Sequence, residues 1–239
     1  MFATGVGPVL FLVWFWTISL VLALIYCVNL LLPRKAMVES IRFWARLVVF
    51  GLATFARVKV EVRGLEHCPR GPGLIAAKHE CMFDFIGPFI FLPDACFVLK
   101  KELLKMPLFG WHATKTRMIP IDREGRSRAL KDLVAVAKER LAEARQIIIF
   151  PEGTRVTPGA APDYKPGVAA LYRDLELPCT PLATNSGVHW PAKGWPRKPG
   201  TIVFEFLPAI PPGLKRADFM REMQDRVETA SNALLAAGL

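Results

Sequence analysis

The feature that most limits what this chain can become is its first segment. From Phe2 to Pro33 it carries no charged side chain, and about 20 apolar residues are enough to cross the ~30 Å hydrocarbon layer as a helix. A cleaved signal peptide is the competing reading. The run PVLFLVWFWTISLVLALIYCVNLLL is too long for one, lacks a basic start and ends without a small-residue cleavage site. Basic residues follow at once (Arg34, Lys35, Arg42 and Arg46), so the positive-inside tendency predicts a membrane-attached protein, on an inner or cytoplasmic membrane, with the rest of the chain on the cytoplasmic face.

Residues 36 to 56 predict a second helix with Met37, Ile41, Trp44, Val48 and Phe55 along one side. Together, residues 1–56 read as hydrophobic membrane-anchoring helices. They form either a hairpin lying partly in the membrane or one crossing helix followed by an interfacial one, and the sequence leaves both open.

From Arg57 onward short β-branched runs alternate with helical ones, which predicts one α/β catalytic domain over residues 57–239. The strand candidates are VKVEV (58 to 62), GLIAA (73 to 77), CFVL (96 to 99), MIPI (118 to 121), IIIF (147 to 150), PLAT (181 to 184) and TIVFEF (201 to 206). Leu130, Leu133, Val134, Ala137 and Leu141 recur at helical spacing opposite charged residues, as do Phe219, Met223, Val227 and Leu234, so two amphipathic helices should cover the sheet. A chain of 239 residues supports one substantial core. Its formal charge of +10 favours an anionic partner. Five scattered cysteines with no CxxC pair argue against a disulfide framework and a zinc site.

Chemistry concentrates in KHECMFDF (78 to 85). Residues five apart on a regular helix point about 140° away from each other, so His79 and Asp84 meet only if a strand-to-helix turn separates them. GLIAA supplies the strand and CMFDFIGPF the helical start. Asp84 could then hold one ring nitrogen of His79 and leave the other free to take a proton. A nucleophilic pair of Cys81 with His79 is a second reading, disfavoured because residues two apart on a helix do not face each other. The zinc motif HExxH fails because Phe83 stands where its second histidine belongs.

Two more stretches end predicted strands in charge: MIPIDREG (118 to 125), with Asp122 and Arg123, and IIIFPEGTR (147 to 155), with Glu152, Gly153, Thr154 and Arg155. Gly153 allows close backbone approach, Thr154 offers a hydroxyl and Arg155 a planar donor fork, a set that suits a phosphate. Glu152 does not attract an anion; it suits orienting a neighbouring arginine or bonding a substrate hydroxyl. An ion-pair network of Arg123, Glu152 and Arg155 closing the sheet is the alternative. In HWPAKGWPRKPG (189 to 200), Trp190 and Trp195 alternate with Lys193, Arg197 and Lys198, a mixture that suits the headgroup layer or an ordinary basic loop with packed tryptophans.

The ordered blocks HECMFD, IPIDR, FPEGTR and PCTPLATNSG, spanning residues 78 to about 187, resemble the glycerolipid acyltransferase family, whose typical members are 1-acylglycerol-3-phosphate acyltransferases. FPEGTR is the most specific of them. The resemblance implies an α/β core with a mixed sheet flanked by helices, plus an N-terminal two-helix membrane element. It implies His79 as general base with Asp84 beside it. Arg123 and the turn of Glu152, Gly153, Thr154 and Arg155 become the acceptor-phosphate site, and Pro181 lies in a block serving the acyl donor. The implied partners are lysophosphatidic acid, acyl-CoA or acyl carrier protein as co-substrate, and a phospholipid membrane, with no nucleic acid, metal or other cofactor. Cys81 stands where the family often has serine, and Pro120 where an aromatic is frequent. Alternatives to this reading are an acyltransferase for another lysolipid acceptor, or a non-catalytic basic membrane-binding protein.

Overall fold

The computed structural model describes residues 5–122 and 125–238. Helix α1 (Val6–Ile25) runs through a 3-10 turn (Tyr26–Leu30) to Pro33, whose extended backbone ends the first helix and opens α2 (Arg34–Gly51). The two helices form a hairpin tied along its length. Trp14 Nε1 donates to Leu47 O at 3.0 Å, Trp44 Nε1 to Ser19 Oγ at 3.0 Å, and Asn29 Nδ2 to Ser40 Oγ at 2.6 Å. At the far end Gly7 lies so close to Phe55 that a Cβ would sit 2.3 Å from its carbonyl oxygen, which only glycine tolerates.

Of the two arrangements the sequence leaves open, the helices pack as a hairpin, and they differ in character. Among the described residues only the Val6–Leu30 segment is long and apolar enough to cross a membrane. Its Phe11, Phe15 and Ile18 are buried against the protein, while Val9, Val13, Trp16, Leu20 and Leu24 are exposed. Helix α2 instead buries Met37, Val38, Ala45 and Val48. Arg34 grips Asp94 through two hydrogen bonds of 2.9 and 2.6 Å, and Arg42 Nε donates to Phe89 O at 3.3 Å. One cluster joins Phe11, Phe15, Ala45 and Val48 to Ile75, Phe83 and Ile202 of the α/β unit. The hairpin is thus part of the main core.

After Arg57, in the left-handed conformation (φ 55°), the sheet begins. Its strands are β1 (Val58–Arg63), β2 (Gly73–Ala77), β3 (Ala95–Lys100), β4 (Ile119–Ile121), β5 (Gln146–Ile149), β6 (Cys179–Thr184) and β7 (Gly200–Phe206). All seven runs assigned from sequence are strands. They lie in the order β1-β7-β6-β2-β5-β3-β4 and are parallel except for the antiparallel pair β6 and β7, the mixed sheet expected. Strands β2, β5 and β6 are buried throughout, as central strands covered on both faces must be.

Alternation divides the side chains between two cores. Ile75, Ala77, Phe97, Ile148 and Leu182 face the hairpin and the short helices α3 (Phe83–Ile86), α4 (Pro88–Phe91) and α5 (Phe109–Lys115). Leu74, Ala76, Cys96, Ile147 and Ile149 face α6 (Arg126–Ala142), α7 (Gly167–Leu175) and α9 (Arg216–Gly238). Leu133, Val134 and Ala137 of α6, and Phe219, Met223, Val227 and Leu234 of α9, are the buried stripes their spacing predicts. Because β2, β5 and β6 run in the same direction, their carboxyl ends open at one rim, where α/β folds bind ligands.

Candidate active site

Three chain segments converge at that rim. Beyond β2, Lys78 N donates to Leu182 O at 2.9 Å, extending the ladder by one residue before the chain turns. His79 and Asp84 are therefore not on one helix, and the 140° problem disappears. His79 stands on the strand exit, and Asp84 lies in the first turn of α3. His79 Nδ1 lies 3.1 Å from Asp84 Oδ2. The same oxygen accepts the backbone N–H groups of Glu80 (2.6 Å) and Cys81 (2.8 Å), so the 80–84 turn wraps around the carboxylate. A third segment, the short helix α8 (Ser186–His189) that follows β6, brings the Ser186 hydroxyl to donate to Oδ1.

A carboxylate so encircled by donors acts as an acceptor, which assigns the Nδ1 proton to His79 and leaves a lone pair on Nε2. The His79 ring is stacked on Phe150, with centroids 4.0 Å apart and planes tilted by 17°. Its side chain keeps 17% of its surface open, whereas Asp84 is buried. A buried anion holding a partly open imidazole is the arrangement in which the ring can take a proton from an incoming hydroxyl. Cys81 does not pair with His79. Its thiol is buried at 3.3 Å from Ser186 Oγ and 3.9 Å from Asp84 Oδ1, and burial followed by the Asp84 charge pushes its pKa well up, away from a reactive thiolate.

The segment after β5 pins the histidine backbone from both sides. Glu152 Oε1 accepts the His79 N–H at 3.3 Å, and Val156 N donates to His79 O at 2.8 Å. Gly153, with φ 67°, makes the turn that allows this, donating to Phe150 O at 3.0 Å. Glu152 points inward, 1% exposed, with Lys78 Nζ 3.6 Å away. Among the described residues the cation that Glu152 faces is Lys78 rather than an arginine. Burial raises the Glu152 pKa to about 7, with Lys78 and the His79 amide pulling the other way. Glu80 is pushed up to about 8 by burial and by the Asp84 carboxylate, although Gly187 N donates to its Oε2 at 2.9 Å.

Of the proposed phosphate-binding set, Thr154 and Arg155 are exposed, Gly153 is partly exposed, and Arg123 lies outside the described residues. Pro181 is buried within β6, in register with Ala76 of β2. Its carbonyl accepts from Leu207 N at 3.0 Å, on the β7 side, where strand pairing starts only at Leu182. The donor a proline lacks would point to that unpaired stretch, so the residue fits a central strand. It shapes the strand beside β2 rather than presenting a surface.

The loop after α8 divides its two tryptophans. Trp190 is 3% exposed, packed edge-on by Phe11 and Phe15 and stacked on Phe83, while Trp195 is 50% exposed. Arg197 is buried over the Trp190 ring, 4.2 Å from its centroid. The headgroup reading therefore survives for Trp195 and not for Trp190 or Arg197. Sequence reasoning also assigned no role to Ser186, Lys78, Glu80, Tyr164 or Glu228. Lys78, Glu80 and Ser186 lay inside blocks already singled out, but nothing local marks Tyr164 or Glu228.

Comparison with known proteins gives the family. Residues 59–185 match the family model described as Acyltransferase. The chain is 36% identical over 181 residues to a 1-acyl-sn-glycerol-3-phosphate acyltransferase of Pseudomonas aeruginosa, covering 75% of this chain and 70% of that one. It is 28% identical over 197 residues to the human 1-acyl-sn-glycerol-3-phosphate acyltransferase alpha, covering 81% and 69%. In fold it is similar to the crystal structure of the 1-acyl-sn-glycerophosphate (LPA) acyltransferase PlsC from Thermotoga maritima, with a TM-score of 0.79 over 96% of each chain at 22% identity. With a model spanning more than half of its length and a relative this similar, the chain belongs to the acyltransferase family, among enzymes of the 1-acylglycerol-3-phosphate acyltransferase type.

Proposed function

We propose that this enzyme transfers a fatty acyl group from an acyl thioester, carried on coenzyme A or acyl carrier protein, to the sn-2 hydroxyl of 1-acylglycerol-3-phosphate, giving phosphatidic acid. The observation that carries the reading is the 3.1 Å contact of His79 Nδ1 with a buried Asp84, on a ring that remains open to solvent. His79 Nε2 takes the proton of the acceptor hydroxyl as its oxygen bonds to the thioester carbonyl carbon. The tetrahedral oxyanion collapses, the carbon–sulfur bond breaks, and the departing thiolate receives the proton from Nε2. Asp84 holds the imidazolium in place between the two transfers. General-base help of this kind contributes ~10² to 10⁴-fold.

Exposed Thr154 and Arg155 stand at the same rim as His79 and suit the acceptor phosphate. The substrates partition into lipid, and the exposed apolar face of α1 (Val9, Val13, Trp16, Leu20 and Leu24) suits burial in a membrane. The α1/α2 hairpin lies folded along the α/β unit, which favours insertion from the cytoplasmic face over a free crossing helix.

A matrix of acyl-CoA and acyl carrier protein donors against several lysolipid acceptors, read by thiol release, tests the assignment. Lysophosphatidic acid should be the preferred acceptor, and His79→Ala should abolish its acylation while leaving the protein folded and membrane-bound. Turnover confined to another lysolipid, or normal turnover in the variant, would overturn it.

A further inference from the structure

Lys78 is the residue before the histidine, yet its side chain leaves the rim and enters the core, 2% exposed. An ammonium taken out of water loses several kcal/mol unless well paired. Here it has two hydrogen bonds to Glu228 of α9, at 2.6 and 2.7 Å, and Glu152 Oε1 at 3.6 Å. Tyr164, on the segment between β5 and α7, donates its hydroxyl to Glu228 Oε1 at 2.8 Å. The inward residues of α9 are the apolar Phe219, Met223, Val227 and Leu234 and the polar Ser231, and replacing the pair by apolar side chains would spare the desolvation of two charges.

What distinguishes the spot is Glu152. Its Oε1 fixes the His79 amide, and its buried Oε2 has no hydrogen-bond partner among the described residues. Protonation of Glu152 would weaken its hold on the His79 main chain. We propose that Lys78, whose ammonium Glu228 and Tyr164 anchor in the core, is a charge lock that keeps the Glu152 carboxylate ionised and seated on the His79 main chain, with Glu228 tempering the charge Glu152 receives, making the three positioning residues for acyl transfer. The inference rests on the reading of His79 as the general base.

Among the described residues the ionisable groups facing Glu152 are Lys78, His79, Glu80 and Tyr164, with Glu228 behind Lys78. One ammonium is therefore shared by two carboxylates. Lys78→Met removes the cation, and the remaining acidic neighbours then favour protonation of Glu152. Glu228→Gln does the opposite, leaving the whole of the Lys78 charge to Glu152.

The test is the pH profile of kcat/KM for both variants and for Tyr164→Phe, using the donor and acceptor pair with the highest thiol release. The acid limb should move up by about one pH unit in Lys78→Met and down by a comparable amount in Glu228→Gln. Tyr164→Phe should move it less than either. Limbs that stay in place, or move together, would overturn the lock, since a general loss of packing lowers activity without opposite shifts. If Lys78→Met does not fold, the double variant K78M/E228Q leaves no lone buried charge at the pair, and its limb should lie above that of Glu228→Gln alone; coincident limbs would again overturn the proposal. Normal turnover in His79→Ala would defeat the general-base reading itself, whereas an inactive His79→Ala with unmoved limbs would defeat only the lock.

Discussion

Ser186 lies 102 residues beyond Asp84 in sequence, yet its hydroxyl donates to Oδ1 of that carboxylate while His79 uses Oδ2. The acid is thereby held from both sides, by its own turn and by the loop that follows β6. A hydrogen bond to a charged group contributes about 1.5–3 kcal/mol, and this one fixes the oxygen that orients the base.

Asp84→Asn should lower kcat by roughly 10²- to 10⁴-fold with little change in KM, because the neutral amide no longer stabilises the imidazolium. Ser186→Ala should cost about 1.5–3 kcal/mol in denaturant unfolding, with a smaller fall in kcat than Asp84→Asn. Equal kcat values for Ser186→Ala and the parent enzyme would show that Asp84 is held adequately without the hydroxyl.

Cys81→Ser should remain active. Its thiol is buried and kept protonated by burial and the Asp84 charge, so in the folded enzyme it should also resist alkylation at pH 8. Loss of turnover, or rapid labelling at Cys81, would restore the nucleophilic-cysteine reading.

Glu80 should make stability depend on pH. Its pKa in the folded protein, about 8, lies above the ordinary glutamate value of 4.5, so the folded state binds the extra proton between those values and stability falls as pH rises through that window. A tenfold change in proton affinity is worth about 1.4 kcal/mol, so the contribution of Glu80 amounts to a few kcal/mol. Glu80→Gln, which keeps an acceptor for Gly187 N–H, should flatten the slope of Tm between pH 5 and 8 and raise Tm at pH 8. An unchanged slope would show that Glu80 titrates normally.

Trp195→Ser and Trp190→Ser should differ in kind. The exposed Trp195 should affect binding to anionic vesicles and leave Tm alone. The buried Trp190 packs between α1 and Phe83, and its loss should cost about 3–5 kcal/mol, as for large-to-small changes at buried aromatics. Equal melting temperatures for the two variants would contradict the packing described.

The sequence by itself determined the local elements. Short β-branched runs located all seven strands, and period-3.6 patterns the buried faces of α6 and α9, because such runs and helical spacing are properties of a few neighbouring residues. It also placed His79 and Asp84 on opposite sides of a strand-to-helix turn, close enough in the chain for their meeting to be foreseen. Partnership at longer range was decided only by the tertiary structure. Lys78 and Glu228 are 150 residues apart, and their contact follows from α9 crossing the sheet beside β6. Trp190 and Trp195 sit in one basic, aromatic loop, and only the docking of α1 buries the first and leaves the second exposed. Glu152 reads as the mouth of a phosphate site, but the turn at Gly153 sends its carboxylate inward to the His79 amide. In each case the deciding quantity is which distant surface covers the side chain, and that depends on strand order and helix docking rather than on neighbours in the chain.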